Sequence, residues 1–361
     1  LSRFAILGTR GIPARYGGFE TFAEELSIRL AARGHDVTVY CRERHPFKTY
    51  RGVSLVSLPT ARHKYFDTLA HTFLSTLHLL THRPEAALYC NAANAVFTLL
   101  PRLAGVPVLL NVDGLERKRK KWNVLARSWY QLSEYLATWF PTAVISDAEH
   151  IQAYYLSRYG KETVFIAYGA DTGKIESTAA LERLGLEPER YFLYVSRMEP
   201  ENNALLVREV FERIAGDVRL ALVGDAPYSR EYIARVRDTR DPRIVMPGAV
   251  YGAGYHELQS HCLAYIHATE VGGTHPAMIE AMARGAVTLY LDTPENREVA
   301  GDAAIPFTPG TLEEALREVL SMAKPERDAL GARAAQRIAE LYDWDKVTDR
   351  YEELLMRVSG G

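Results

Sequence analysis

Three glycine-bearing loops hold residues whose types and spacing could do chemistry. In residues 271–282, VGGTHPAMIEAM, Gly272, Gly273 and Thr274 precede a helix expected to begin near Pro276, and a single carboxylate, Glu280, falls about one turn into it. Glycines at a helix start let backbone N–H groups approach an anion. A carboxylate on the same wall would repel phosphate, so its expected partner is a neutral diol such as a ribose. A tight strand-to-helix turn explains the glycines equally well. The second loop, residues 8–20, GTRGIPARYGGFE, ends in Gly17 and Gly18 directly before a helix and carries Arg10 and Arg15. It lacks both the GxGxxG spacing of a dinucleotide fingerprint and the GK[ST] of a Walker loop. An anion seat and a turn needing positive φ both remain open there. The third loop is SRMEPENN, residues 196–203. Arg197 leaves a strand at its carboxyl end, where a guanidinium could hold a diphosphate with two donors; a surface pair with Glu199 is the alternative.

Other groups carry weaker signals. Asp113 lies after LLNV at a strand end, either facing a ligand or capping the next turn. Arg117, Lys118, Arg119, Lys120 and Lys121 run into Trp122, with Trp129, Tyr130 and Trp139 beyond. Such a run suits an anionic membrane surface or an acceptor, or simply a solvated helix face. The DWD at 343–345 has the look of a metal-binding pair, but its place at the opening of a helix makes Asp343 a cap, and no metal is assigned.

The elements that must position these loops alternate throughout. FAILGT (4–9), DVTVYC (36–41), VSLVSLP (53–59), AALYCN (86–91), VPVLLNV (106–112), TAVISD (142–147) and TVFIAYGAD (163–171) are predicted strands. Their near-continuous apolar character suits parallel strands covered on both faces. Helical spacing appears between them, as at 19–33, where Phe19, Phe22, Leu26 and Leu30 recur and Gly34 supplies the stop. The rhythm restarts with YFLYVSRM (191–198), VRLALVGD (218–225), RIVMPGAV (243–250), CLAYIHAT (262–269) and AVTLYLD (286–292). Two runs of βα units predict two doubly wound parallel sheets, with the polar segment 172–190 as linker. Ligands in such sheets bind beyond the carboxyl ends of the strands, where the three loops fall.

Bulk properties agree. The 361 residues suit two domains, and 47% apolar with 24% charged residues is ordinary for a soluble protein. A net charge of −2 gives no reason to expect a nucleic-acid partner. The widely spaced Cys41, Cys90 and Cys262 form no CxxC pair, which points to a reducing compartment. No apolar run approaches the length of about 18 residues needed to span a bilayer, and no signal pattern opens the sequence, so a cytoplasmic location is expected.

Together RGIPARYGGFETF, NVDGLERKRKKW, RMEPENN, VYGAGY, VGGTHPAMIEAM and DTPENREV resemble the retaining glycosyltransferases of family four, and within them the bacterial rhamnosyltransferase-like branch that works on cell-surface polysaccharides. The resemblance covers most of the chain and implies an α/β GT-B fold. In that fold two doubly wound Rossmann-like domains face across a cleft. Residues 1–172 would form the acceptor side and 173–342 the nucleotide-sugar domain, with a C-terminal helix over 343–361 returning to the first. It also implies roles. Glu280 matches the second Glu of the EX7E motif and would contact the ribose. Arg197 would hold the donor diphosphate, and the Gly273 and Thr274 amides would cradle it with the sugar. Gly17 and Gly18 would lie near donor phosphate and acceptor, and the loop around Tyr251 near the base. The chain departs from the pattern at three places. Gly272 stands where the first Glu, a sugar-hydroxyl ligand, is usual, with Glu270 two residues away. Asn203 stands where a Lys is usual. Asn111, Val112 and Asp113 replace the usual His.

The expected activity is transfer of a sugar, with L-rhamnose from dTDP-L-rhamnose favoured because the sugar-binding acid is missing, to a saccharide or lipid-linked saccharide. Arg197 and Asp113 are the candidate catalytic residues; Gly17, Gly18, Asn203, Tyr251, Gly272, Gly273, Thr274 and Glu280 join Arg197 around the donor. Arg117, Lys118, Arg119, Lys120, Lys121 and Trp122 are assigned to the acceptor or to a peripheral contact with anionic membrane at the inner face of the cell membrane. Neither a cofactor nor a metal is expected, and no nucleic acid. The rivals are the same transfer from a UDP- or GDP-sugar, a non-catalytic nucleotide-sugar-binding protein, and a nucleotide-sugar epimerase, whose acid–base pair is not evident.

Overall fold

The computed structural model describes residues 1–14, 17–61, 66–118, 123–226 and 229–360. The chain divides into two compact units, Leu1–Tyr168 with Trp344–Gly361, and Gly169–Asp343.

Among the described residues the first unit has strands β1 (Arg3–Leu7), β2 (Asp36–Cys41), β3 (Thr49–Tyr50), β4 (Val53–Ser57), β5 (Ala86–Cys90), β6 (Val108–Asn111), β7 (Ala143–Ser146) and β8 (Val164–Phe165). Its helices are α1 (Gly18–Ala32), α2 (Asp67–His82), α3 (Leu99–Leu103), α4 (Val124–Ala137) and α5 (Glu149–Tyr159). The strands form one sheet in the order β3-β4-β2-β1-β5-β6-β7-β8, parallel except for the β3–β4 pair. β5 is buried along its whole length, as expected of a strand covered on both faces. The order reverses at β1, which pairs with β2 on one side and β5 on the other. Gly8, just beyond β1, has φ +93, and a Cβ there would lie 2.4 Å from the Cys90 carbonyl. Only glycine lets these two strand exits come so close.

The second unit adds α6 (Ala179–Leu184), β9 (Tyr191–Val195), α7 (Ala204–Phe211), β10 (Arg219–Val223), α8 (Arg230–Arg237), β11 (Ile244–Gly248) and α9 (Ala253–His261). It continues with β12 (Ala264–His267), α10 (Pro276–Ala283), β13 (Thr288–Leu291), α11 (Pro294–Ala300), β14 (Ile305–Phe307), α12 (Leu312–Ser321) and α13 (Lys324–Leu341). The sheet order is β11-β10-β9-β12-β13-β14, all parallel, and it reverses at β9. The polar segment expected to be a linker holds α6 instead. Ala180 and Leu181 are buried, and the Ala180 amide donates to Glu257 Oε2 at 2.7 Å.

The chain then returns to the first unit as α14 (Trp344–Ser359). Its Trp344, Val347, Thr348, Tyr351, Leu354 and Leu355 are buried at helical spacing. The Tyr351 ring lies 5.1 Å from Phe22, and its hydroxyl accepts from Asn111 Nδ2 at 2.8 Å. Asp343 lies just before this helix and bridges in parallel to Ala170.

The predicted strand over 163–171 shrinks to the two residues of β8. Beyond β8 the Ile166 amide still donates to the Ser146 carbonyl of β7 at 2.9 Å, and Ile166, Ala167 and Tyr168 are buried outside any assigned strand.

Candidate functional site

In an open α/β sheet the ligand crevice lies where strand order reverses, beyond the carboxyl ends of the two strands that part there. In the second unit those strands are β9 and β12, and the loops leaving them are 196–203 and 268–275. Three hydrogen bonds join the loops. The Glu270 amide donates to the Glu201 carbonyl at 2.9 Å, and Asn203 Nδ2 donates to the Ala268 carbonyl at 2.9 Å and to Glu270 Oε1 at 3.1 Å. Asn203 adopts a left-handed conformation, φ +60, that turns the chain into α7. Its amide, expected at the diphosphate, is thus directed onto the neighbouring loop.

Arg197 is half-buried at the exit of β9. Its carbonyl accepts from Asn202 Nδ2 at 2.6 Å, which fixes the backbone, while its guanidinium makes no hydrogen bond or ion pair among the described residues. The alternative of a pair with Glu199 is not realised. A guanidinium partly withdrawn from water favours an incoming anion that offers two acceptors.

The 271–275 stretch ends at His275, the cap residue of α10, and Pro276 takes the first helical position. Gly273 and Thr274 are buried, and the Gly272 and Gly273 amides have no partner among the described residues. His275 Nδ1 lies 2.6 Å from His267 Nε2, one imidazole donating and the other accepting. Burial pushes the His267 imidazole down to about 3, so it is neutral near pH 7. This pair holds the His275 ring over Gly272: a Cβ on Gly272 would sit 2.4 Å from His275 Nε2. The position where an acid is usual is therefore closed to any side chain while His275 keeps this place.

Glu280 lies on α10 with its Oε2 accepting from the Tyr255 hydroxyl at 2.6 Å. Gln259 Nε2 donates to that hydroxyl at 2.8 Å and to the Ala277 carbonyl at 3.2 Å. Tyr255 and Gln259, one turn apart on α9, do not stand out in the sequence; their i,i+4 spacing is the available signal. Tyr251 is 53% exposed in the loop between β11 and α9. Among the described residues the unit thus offers an unpaired guanidinium and two uncommitted amides at a helix start for an anion. It also holds a carboxylate, fixed by a phenol, for hydroxyls.

The first unit places its candidates differently. Gly17 is the cap residue of α1 with extended φ −169, and the positive φ values fall on Gly8 and Gly11 instead. Glu20 is buried in the first turn of α1 and accepts the Arg10 amide at 2.9 Å. A carboxylate of the chain itself therefore occupies the start of this helix, beside Gly17. Arg15 lies outside the described residues. Asp113 has φ +56, and its amide donates to Asn111 Oδ1 at 3.0 Å; a short turn follows at Glu116–Lys118.

The basic run is divided. Arg117 Nε donates to both oxygens of the buried Glu134 carboxylate at 3.0 and 3.2 Å, and its Nη2 donates to the Tyr154 hydroxyl at 2.8 Å. The Tyr154 and Tyr159 hydroxyls also donate to Glu134, at 2.9 and 3.1 Å. Arg117 therefore compensates an internal charge. Lys118 closes a short turn, Glu116–Lys118, and Arg119, Lys120, Lys121 and Trp122 lie outside the described residues. Of the aromatic residues beyond, Tyr130 is buried, Trp129 half-buried, and Trp139 is 65% exposed.

Cys41, Cys90 and Cys262 are free and buried, and burial pushes the Cys41 thiol up to about 11 and that of Cys262 to about 12. Among the described residues no three His, Cys, Asp or Glu side chains gather as a metal site, and no helix is long and apolar enough to cross a membrane.

Residues 2–171 match a domain of unknown function, DUF1972, and residues 189–324 match the glycosyl transferases group 1 family. No curated protein sequence matches the chain. Several solved structures do. Sucrose-phosphate synthase from Thermosynechococcus elongatus is 18% identical, covers 99% of each chain and has a TM-score of 0.82. HepE of Anabaena, in complex with UDP-glucose, is 16% identical over 99% of this chain and 100% of its own, with a TM-score of 0.79. WaaG, a glycosyltransferase involved in lipopolysaccharide biosynthesis, is 17% identical over 99% and 100%, with a TM-score of 0.74. The protein has the GT-B fold, and its second unit matches the group 1 glycosyl transferases over residues 189–324.

Proposed function

We propose that the protein is a retaining glycosyltransferase of family four, of the rhamnosyltransferase-like branch. It would move L-rhamnose from dTDP-L-rhamnose to a saccharide or lipid-linked saccharide in cell-surface polysaccharide synthesis, at the cytoplasmic face of the membrane. The observation that carries this reading is the unpaired Arg197 guanidinium at the β9–β12 reversal, beside a glycine loop with uncommitted amides and a helix bearing Glu280. A diphosphate would lie against Arg197 and the loop amides, and the ribose diol against Glu280.

The reaction breaks the bond between the anomeric carbon and the diphosphate oxygen and forms one from that carbon to the acceptor oxygen, on the same face. The acceptor proton passes to a diphosphate oxygen. Arg197, the Gly272 and Gly273 amides and the α10 N-terminus take up the charge that develops on the leaving group, which is transition-state stabilisation by fixed dipoles. This reading gives that task to no metal and assigns Asp113, in the first unit, to the acceptor hydroxyl.

Two observations support rivals. HepE is in complex with UDP-glucose, which favours a UDP-sugar. The Asn203 amide directed away from the anion, together with the closed position at Gly272, favours a protein that binds without transferring. A panel of nucleotide sugars separates the three. Turnover with dTDP-rhamnose supports the proposal, and strong turnover with UDP-glucose but none with dTDP-rhamnose replaces the donor. Saturable nucleotide binding without transfer or hydrolysis of any donor removes the enzyme.

A further inference from the structure

The last turn of α2, in the first unit, carries a histidine pair. His78 and His82 stand four residues apart, on one face of the helix. Their rings are stacked, with centroids 4.1 Å apart and planes 13° from parallel. His78 is half-buried and His82 exposed, so solvent reaches the pair.

The hydrogen bonds of the pair all fall on Nδ1. His82 Nδ1 lies 3.0 Å from the His78 carbonyl and 2.9 Å from Thr81 Oγ1. The Thr81 hydroxyl itself donates to that carbonyl at 2.7 Å. A carbonyl only accepts, so His82 Nδ1 carries the proton, and its Nε2 is left with a bare lone pair. His78 Nδ1 lies 3.1 Å from the hydroxyl of Tyr40, a buried residue of β2 whose ring meets the imidazole edge-on at 5.6 Å. A phenol oxygen can accept as well as donate, so it supports the same tautomer of His78. Neither Nε2 makes a hydrogen bond among the described residues. Burial, and then the charge of His82, lower the His78 imidazole, which keeps it unprotonated near pH 7.

Neutral imidazoles whose Nδ1 atoms are tied to oxygen partners, with Nε2 uncommitted, have the form of metal ligands. Imidazole nitrogen suits Zn²⁺, Ni²⁺ and Cu²⁺, whereas Mg²⁺ and Ca²⁺ take oxygen. A tetrahedral ion at about 2.0–2.1 Å from each nitrogen needs the two about 3.4 Å apart. Rings stacked at 4.1 Å come near this spacing, and a small tilt brings their edges together. Two protein ligands leave the remaining positions to water, as in an open site.

We propose that His78 and His82 bind a divalent ion of the Zn²⁺, Ni²⁺ or Cu²⁺ kind through their Nε2 atoms. The ion staples the last turn of α2 and, through the His78–Tyr40 bond, ties it to β2. The site lies wholly within the first unit and is independent of the transfer reaction.

The experiment is calorimetric titration of the full, untagged chain with zinc chloride and with magnesium chloride, beside thermal melts and histidine-ring NMR. The expected result is saturable binding of one Zn²⁺ at this pair, with a raised melting temperature and a joint shift of the His78 and His82 ring signals. Mg²⁺ should do none of these. His82→Gln and His78→Gln should each weaken Zn²⁺ binding by about tenfold or more, and Tyr40→Phe by about tenfold. His82 is exposed, so His82→Gln should melt as the wild type does without metal, and it keeps the test valid if His78→Gln folds poorly. Undiminished Zn²⁺ binding in His82→Gln overturns the proposal, as does the lack of saturable binding at millimolar zinc. Equal stabilisation by Mg²⁺ overturns it too, since an imidazole pair offers that ion no oxygen.

Discussion

The Tyr255 hydroxyl donates to Glu280 Oε2 at 2.6 Å, with Gln259 behind it, so the carboxylate assigned to the ribose is aimed by a second helix. Removing Glu280 (Glu280→Ala) should weaken nucleotide binding by about 10–100-fold, the worth of hydrogen bonds to a charged group. Tyr255→Phe should cost about 3–10-fold, and almost nothing once Glu280 is gone, because the two act as one unit. Calorimetric titration of the two single variants and the double variant checks this; additive losses would separate Tyr255 from Glu280.

Arg197 should matter to turnover and not to folding. Arg197→Ala is expected to lower kcat/KM by about 10²–10³-fold, as for loss of one preorganised donor to a developing anion. Its melting temperature should match the wild type, since the guanidinium makes no bond to the described residues. Arg197→Lys should recover only part, because a point charge replaces a two-donor fork. Steady-state kinetics beside thermal melts reads both.

Gly272 and His275 should behave as a coupled pair. Gly272→Ala puts a methyl 2.4 Å from His275 Nε2 and should destabilise by about 1–3 kcal/mol, the usual cost of overpacking. Adding His275→Ala should return part of that loss, which urea titration of the two single variants and the double variant would show.

Stability should fall on the acid side of neutrality. Burial lowers the His71 imidazole to about 4, with the Arg42 charge adding to it, and burial lowers His267 to about 3. Both are neutral in the folded chain, whereas the unfolded chain takes up protons near pH 6.5. Below that pH the unfolded state binds more protons, so each ring costs up to about 1.4 kcal/mol per pH unit until its folded value is reached. Urea titrations at pH 7, 6 and 5 should show the slope, and His71→Gln should reduce it.

Arg117 should prove structural. Arg117→Ala leaves Glu134 buried with only tyrosine donors, and breaking such a pair costs about 3–5 kcal/mol. A thermal melt close to wild type would return Arg117 to the acceptor or the membrane.

The doubly wound sheets were legible because parallel strands covered on both faces must be nearly continuous in apolar residues, as β5 and β9 are. The same rule overreached at 166–168, buried residues that lie beyond the two-residue strand β8, and it passed over α6, six residues long in a polar segment. Arg197, Gly272, Gly273 and Glu280 stood out because glycine, arginine and a lone acid have few uses at strand exits and helix starts. The partners did not stand out. Tyr255 reaches Glu280 across 25 positions, His267 meets His275 across the loop, and which cation of a basic run turns inward depends on a buried Glu134 that sequence spacing does not reveal.

The return of α14 to the first unit sets an order of events during synthesis. Strands β1 to β8 leave the ribosome with Phe22 and Asn111 still lacking Tyr351, and the whole of Gly169–Asp343 is translated before that ring is made. The first unit is therefore closed only after the second has been translated. A nascent chain must keep this face of its earliest sheet uncovered, within reach of chaperones, until the 16 residues of α14 emerge.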